Sequence, residues 1–178
     1  MPYAFGHLIF SWICGKLAEL NKKFNLDRWI WFFLLFGSIF PDSDYLFDWI
    51  LGTQLHRAFS HSLLTAAIGF LAVFLGGKLL NKKFKNVRPF AYGLAFGFGI
   101  LTHLVADMIM GFPGVALFWP LKIRFWLLGM GAENFITTPL MERSKEKLIT
   151  MVRFAIFDMG LGVIWIGYLF FKKKIRKF

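Results

Sequence analysis

The sequence has one cysteine, four histidines and 10 acidic residues against 21 basic ones in 178 residues. A single cysteine excludes a disulfide framework and a metal site built from several thiolates. Cys14 is a small apolar residue inside a predicted helix, so we interpret it as a packing residue. The chain also has no motif for a nucleophilic serine or cysteine. Any chemistry must therefore come from its few histidines and carboxylates.

The amino terminus lacks the basic start and the small-residue cleavage site of a signal peptide, so we expect it to be retained. The sequence is also poor in polar residues, since 57% of its residues are hydrophobic, 20% are aromatic and the mean hydropathy is +0.59. These values are too high for a water-soluble domain of this length. The sequence therefore predicts an integral membrane protein.

The net charge of +11 raises the possibility of nucleic-acid binding. The basic residues, however, occur in short clusters between apolar segments, which is typical of loops that anchor membrane helices. Nucleic acid is therefore not an expected partner. The expected partner is the lipid bilayer.

The apolar pattern predicts an all-α fold, a single membrane-embedded domain over residues 1–178 with a bundle of about five helices. Proline and glycine punctuate residues 112–147, which we interpret as a long surface or re-entrant excursion. Residues 29–40 are too few to cross a bilayer alone. The expected helices cover residues 3–20, 29–40, 61–80, 89–111 and 152–171, with a short one at 45–51. Ser60 is the expected cap of the helix that starts at His61.

Fourteen of the 21 basic residues fall on one side when these helices are threaded alternately through a membrane. That side includes the loop at residues 82–88 and the tail at 172–177. By the positive-inside rule it is cytoplasmic. We therefore expect a multi-pass protein of the plasma membrane with a cytoplasmic carboxyl terminus.

Ionisable residues concentrate in residues 40–62, FPDSDYLFDWILGTQLHRAFSHS, where Asp42, Asp44, His56 and His61 lie between apolar segments. Carboxylate oxygens and neutral imidazole nitrogens are the ligands of a divalent cation. Arg57 lies beside them and could hold an anion. This stretch therefore predicts metal chemistry.

The remaining ligand candidates are predicted to reach the same depth. A rise of about 1.5 Å per residue puts His7, Asp42 and His103 each roughly 20 Å from the cytoplasmic end of its helix, against a hydrocarbon core of about 30 Å. His103 and Asp107 are four residues apart and share a helix face. The spacing predicts one metal site near the outer membrane boundary.

A structural interpretation exists for each residue taken singly, because a histidine or aspartate can simply cap a helix end. Taken together, several buried ionisable groups cost several kcal/mol each unless a charge compensates them. A divalent metal supplies that charge. We expect zinc, with manganese or magnesium as alternatives, and one to three ions.

The order of these motifs resembles a known family. His7, GSIFPDSD at 37–44, HRAFSHS at 56–62, THLVAD at 102–107 and LFWP at 117–120 are similar to the membrane-bound metal-dependent hydrolases of the YdjM-like family. The family's histidine-arginine-glycine is here His56-Arg57-Ala58. The order is also distantly similar to the zinc-dependent phospholipase C and single-strand nuclease superfamily.

The resemblance implies hydrolysis by a metal-activated water. The implied ligands are His7, Asp42, Asp44, His56, His61, His103 and Asp107. Asp44 or Asp107 would serve as the base or as a bridging ligand, and Arg57 would steady the anion. A site at the membrane boundary favours a lipid-linked or phosphorylated small substrate.

Two other functions are compatible with the same residues. Histidine and aspartate within a membrane also mark ion pathways, which would make the chain a metal or proton-coupled carrier. A carrier usually shows paired repeats around a midplane site, and this sequence shows no repeat. The other alternative is a non-catalytic membrane scaffold that uses metal only for folding.

Asp158 falls outside these motifs, in the apolar segment at 152–171. Its distance from the basic tail puts it at the depth of the metal ligands. It could therefore support the site by holding a ligating histidine in its tautomer, or it could pair with Arg153. The sequence leaves both roles open.

Overall fold

A computed structural model describes residues 4–21, 26–51, 59–81, 87–109, 114–121, 123–127, 129–132 and 145–172. Within these residues the chain is largely helical, which confirms the all-α class, and a small β-hairpin is added to it. The helices are α1 (Ala4–Leu20), α2 (Arg28–Ile39), α3 (Asp44–Leu51), α4 (Leu63–Asn81), α5 (Pro89–Ile109) and α6 (Lys145–Phe171). Two 3₁₀ turns cover Pro41–Ser43 and Phe59–His61, and the antiparallel strands are β1 (Ile123–Trp126) and β2 (Gly129–Ala132).

Three helical segments are long and apolar enough to cross a membrane, namely Leu63–Asn81, Pro89–Ile109 and Val152–Phe171. Helix α2 is apolar but has only 12 residues, as the sequence predicted. Large apolar side chains such as Leu71, Leu75 and Val163 point outward from these helices. The outer surface therefore suits a lipid environment, which agrees with the predicted membrane protein.

Helix α5 is the central element, because it packs against α2 on one face and α4 on another. One buried apolar cluster joins α2 to α5, and a second one joins α4 to α5. In the first, Trp31 and Leu34 of α2 lie against Tyr92 and Ala95 of α5. This packing fixes α5, the helix that bears His103 and Asp107, relative to its neighbours.

Glycines permit the close approach of α2 and α5. A Cβ on Gly99 would overlap the carbonyl oxygen of Leu34, and a Cβ on Gly37 would overlap that of Phe96. Small residues at such contacts let helix backbones pack directly in membrane proteins. The spacing of α2 and α5 therefore depends on these two glycines.

We expect Gly99→Ala to destabilise the protein by about 1–3 kcal/mol or more, because the methyl group meets backbone atoms that cannot move aside. Gly76→Ala on α4 is the matched control, since a Cβ there has no atom within 4 Å. Thermal unfolding in detergent would compare the two variants. Equal melting temperatures for both would contradict the tight α2–α5 contact.

Some sequence-based expectations were wrong in detail. Helix α6 begins at Lys145 rather than at 152, and the β-hairpin lies within the predicted excursion at 112–147 without contradicting it. Ser60 does not cap the helix after it. Instead, Ser62 Oγ accepts the amide of Thr65 at 3.2 Å, so α4 starts at Leu63 and His61 lies in the preceding turn. The error at Ser60 concerns the hydrogen bonding of a turn, which the periodicity of apolar residues does not predict.

Candidate metal centre

Five ionisable side chains meet at one end of the bundle. His7 comes from α1, Asp42 from the turn after α2, His61 from the turn before α4, and His103 with Asp107 from α5. Pro41 opens the first of these turns, where it ends the regular geometry of α2 and turns the chain toward the other helices. The predicted convergence of separate helices at one depth is therefore present in the structure.

The imidazole Nε2 atoms face the two carboxylates at short range. His103 Nε2 lies 3.1 Å from His61 Nε2. His7 Nε2 lies 3.8 Å from Asp42 Oδ2 and 3.6 Å from Asp107 Oδ1. His61 Nε2 lies 3.5 Å from both Asp42 Oδ1 and Asp107 Oδ2, and His103 Nε2 lies 3.6 and 3.8 Å from those same oxygens.

Hydrogen bonds on the far side of two rings set their tautomers. His103 Nδ1 lies 2.7 Å from the carbonyl oxygen of Ser38, which can only accept, so Nδ1 donates and Nε2 carries a lone pair. His61 Nδ1 lies 2.9 Å from Ser60 Oγ, which itself donates to Asp44 Oδ2. As a neutral imidazole, His61 must then donate from Nδ1, and its Nε2 also presents a lone pair to the cluster.

Two lone pairs that face each other at 3.1 Å repel unless a cation lies against both. The distances of 3.5–3.8 Å to the carboxylates exceed those of good hydrogen bonds, which are about 2.7–3.2 Å. They are close to the spacing of about 3.3–3.4 Å between ligands held at about 2.0–2.1 Å around tetrahedral zinc. The donor set and its spacing therefore fit a divalent metal.

Each carboxylate turns its two oxygens toward different histidines. Asp42 and Asp107 both present one oxygen to His7 and the other to His61 and His103. Two groups of three side chains among these residues could each hold a metal ion, and His103 belongs to both groups. This arrangement suits two ions that share the carboxylates as well as it suits one.

Asp44 occupies a different place from the one the sequence predicted for it. Its Oδ2 lies 3.5 Å from His61 Nδ1, on the opposite side of the ring from the Nε2 cluster. With Ser60 it forms a hydrogen-bonded chain behind His61. The geometry places Asp44 where it can orient His61, and a carboxylate behind a metal-binding histidine fixes the position of the ring and raises its basicity.

The pKa shifts of Asp42 and His61, which lie in the two 3₁₀ turns, agree with the close approach of these two side chains. Burial raises the pKa of Asp42, but the nearby side chain of His61 and the charges of the histidines outweigh burial, so the net pKa is lowered. Burial lowers the pKa of His61, but its contacts with Asp42 and Asp44 outweigh burial and raise the net pKa. The pocket thus stabilises positive charge among its carboxylates, and a metal ion would take the place of a proton.

Access to the cluster is one-sided. The side chains of His7, His61, His103 and Asp107 are fully buried, whereas 23% of the Asp42 side chain is exposed. The rings of His7 and His103 also stack, with centroids 3.8 Å apart. Among the described residues, Asp42 is therefore the member of the cluster that water can reach.

Asp158 supports the centre in a way that the sequence did not reveal. Its Oδ2 accepts the amide of Phe5 at 3.0 Å and its Oδ1 accepts that of Gly6 at 2.7 Å. These amides belong to the first turn of α1, whose donors have no partner within their own helix. Asp158 therefore caps α1 from another helix, directly before His7, instead of pairing with Arg153 or contacting a histidine.

A short segment covers this end of the bundle. We call residues 114–121 together with residues 123–127 the cap segment. Leu63 N donates to Leu117 O at 2.9 Å, and Leu127 N donates to Met108 O at 3.0 Å. The cap segment is thus attached two residues after His61 and one residue after Asp107.

Two candidates cannot be placed. His56 and Arg57 lie outside the described residues, so their predicted roles stay predictions. The sequence did not point to Ser38, and it assigned Ser60 to a helix cap rather than to the hydrogen-bonded chain behind His61. Ser38 and Ser60 could have been suspected, since each belongs to one of the histidine- or aspartate-bearing motifs.

A family model described as YdjM inner membrane protein matches residues 1–174. No significant match was found among curated proteins or among solved structures. The family description and the three apolar helices together place the chain in a membrane. The chain belongs to the YdjM inner membrane protein family.

Proposed function

We propose that the cluster binds divalent metal, zinc most readily, and that the protein is a membrane-embedded metal-dependent hydrolase. The proposed substrate carries a phosphoester and is lipid-linked or held close to the membrane. The observation that supports this best is the convergence of three imidazole Nε2 atoms and two carboxylates within 3.1–3.8 Å of their neighbours.

His7, His61, His103, Asp42 and Asp107 would hold the metal. When bound, zinc lowers the pKa of a coordinated water toward 7 and polarises a phosphoryl oxygen. Asp42 is the proposed ligand whose side chain is partly exposed. We therefore propose that Asp42 accepts a proton from the water molecule on its exposed side. Asp107 is fully buried and acts as a ligand only.

The substrate class follows from where the cluster lies. The proposed ligands lie at the end of an apolar helical bundle, which would bring them close to the phosphate groups of membrane lipids. A metal centre with three histidines and two carboxylates suits phosphoester hydrolysis in particular, because the metal neutralises charge on the transferred phosphoryl group.

The test is an assay of the metal-loaded protein in detergent with phosphate-headed lipids of several classes. We expect metal-dependent release of phosphate or of a phosphorylated headgroup, and we expect Asp42→Asn, assayed at saturating metal, to reduce the rate by about 10²-fold or more. Full metal occupancy without turnover of any such lipid would favour the scaffold. Metal flux in proteoliposomes without turnover would favour the carrier.

We also propose an orientation, because the basic residues predict that the metal centre faces the outside. Single cysteines at Lys83 and Gln54, both outside the described residues, would be introduced into a Cys14→Ser background. In intact cells an impermeant thiol reagent should label position 54 and leave position 83 unlabelled. Labelling of position 83 from outside would reverse the orientation.

A further inference from the structure

A groove of about 690 Å³ runs along the outer face of α5. We call it the α5 groove. Side chains of four helices line it, and they include Ala18, Ile30, Ala67, Phe90, Leu94 and Leu101. Phe90 and Leu94 are 61% and 53% exposed, so the groove is open to the surroundings of the bundle. Its volume falls within the range of about 300–1,000 Å³ that is usual for ligand sites.

The α5 groove is separate from the candidate metal centre. Leu94 and His103 are nine residues apart, which at 3.6 residues per turn puts them on opposite faces of α5. His103 is fully buried in the bundle, whereas Leu94 faces outward. An occupant of the groove would therefore be distinct from a metal ligand or a substrate at the metal centre.

The length and polarity of the groove suit an acyl chain. Phe90 and Leu101 are eleven residues apart, or about 16 Å along the helix axis, which is close to half of a hydrocarbon core of about 30 Å. Apart from Arg88, every described residue that lines the groove is apolar. The groove can therefore hold one chain of a lipid whose headgroup lies at the Arg88 end.

Arg88 gives this end of the groove a positive charge. Its side chain is 54% exposed, and its guanidinium donates to Asp27 Oδ2 at 3.2 Å. The other oxygen of Asp27 caps α2, where it accepts the amides of Trp29 and Ile30 at 2.9 Å. A guanidinium has five N–H donors, so its contact with Asp27 leaves donors for a phosphate group.

Arg28 and Trp29 mark the same end as the level of lipid headgroups. Trp29 is 49% exposed, and exposed tryptophans are enriched where a bilayer meets water. Arg28 is exposed and lies 5.6 Å from the centre of the Trp29 ring. With Arg88 it outnumbers Asp27, so positive charge is in excess. An anionic lipid matches both the apolar groove and this charge, whereas an apolar helix of a second copy would match the groove alone.

We infer that the α5 groove binds one anionic phospholipid. The phosphate group contacts Arg88, and one acyl chain lies along Leu94 toward Leu101. The inference does not depend on the proposed function, because it uses none of the proposed metal ligands.

Native mass spectrometry of the purified protein in detergent tests the headgroup contact, with phosphatidylglycerol and phosphatidylcholine of identical acyl chains as probes. One phosphatidylglycerol should bind about fivefold more tightly than phosphatidylcholine, which is the preference that a basic residue near a membrane surface confers. Arg88→Gln should remove most of this preference. Lys78→Gln is the control, because Lys78 is exposed at the same end of the bundle and does not line the groove.

A second pair of variants tests the acyl chain. Ala67→Trp places a large ring in the groove and should abolish one-to-one binding of phosphatidylglycerol. Ile68→Trp should bind this lipid like the wild type, because Ile68 is an exposed neighbour on α4 that does not line the groove.

Equal affinity of the wild type for the two lipids would overturn the inference, and so would equal losses in Arg88→Gln and Lys78→Gln. If Arg88→Gln does not fold, Ala67→Trp decides the question, since wild-type binding in that variant would exclude the groove. A dimer that Ala67→Trp dissociates would assign the groove to a second copy of the chain instead. None of these results depends on metal content or turnover, so the metal centre stands or falls separately.

Discussion

Replacing His103 with alanine is expected to remove metal from the purified protein, with a loss of affinity of about 100-fold or more. His103 Nε2 faces His61 Nε2, Asp42 and Asp107, and His103 is shared by both possible ligand groups. Loss of His103 should therefore weaken metal binding whether the site holds one ion or two. Elemental analysis of protein purified without chelators would report the metal-to-protein ratio.

Val105→Ala is the matched control for this experiment. Val105 lies on the same helix, two residues from His103, and is 45% exposed on the outer face. It should keep wild-type metal content and insert normally into the membrane. Full metal occupancy in His103→Ala would show that the cluster is not the metal centre. A measured ratio near two in the wild type would support carboxylates shared between two ions.

The second large effect is expected from Asp158→Asn. The asparagine can accept only one of the two amides of Phe5 and Gly6, and its amide group meets the other as donor against donor. The first turn of α1 would loosen, and His7 follows Gly6 directly. We expect metal affinity to fall by about tenfold or more, because supporting contacts have effects of that size. Metal titration with a competing chelator would measure it.

The contact between α6 and the first turn of α1 can be checked independently with a pair of glycine variants. A Cβ on Gly162 would lie 2.5 Å from the Phe5 ring, whereas a Cβ on Gly160 would have no atom within 4 Å. Gly162→Ala should therefore lower metal affinity in the same direction as Asp158→Asn, and Gly160→Ala should not. If both alanine variants and Asp158→Asn bind metal like the wild type, α6 serves packing alone.

Much of the candidate site follows from the sequence alone. Composition determined that the chain lies in a membrane, and apolar runs ended by Pro41 and opened by Pro89 determined where α2 stops and α5 starts. Helical rise then predicted that His7, Asp42 and His103 reach one depth, and the four-residue spacing put His103 and Asp107 on one face. These inferences succeed because they depend on geometry within a single helix.

The tertiary structure decided which atoms face each other, since rotation of helices about their axes depends on side-chain packing between them. The contact of Gly99 with Leu34 brings α5 against α2, so that Ser38 O fixes the tautomer of His103. The turn before α4 places Asp44 behind His61 rather than among the ligands. No periodicity reports such contacts, because residues distant in sequence meet only when the chain folds.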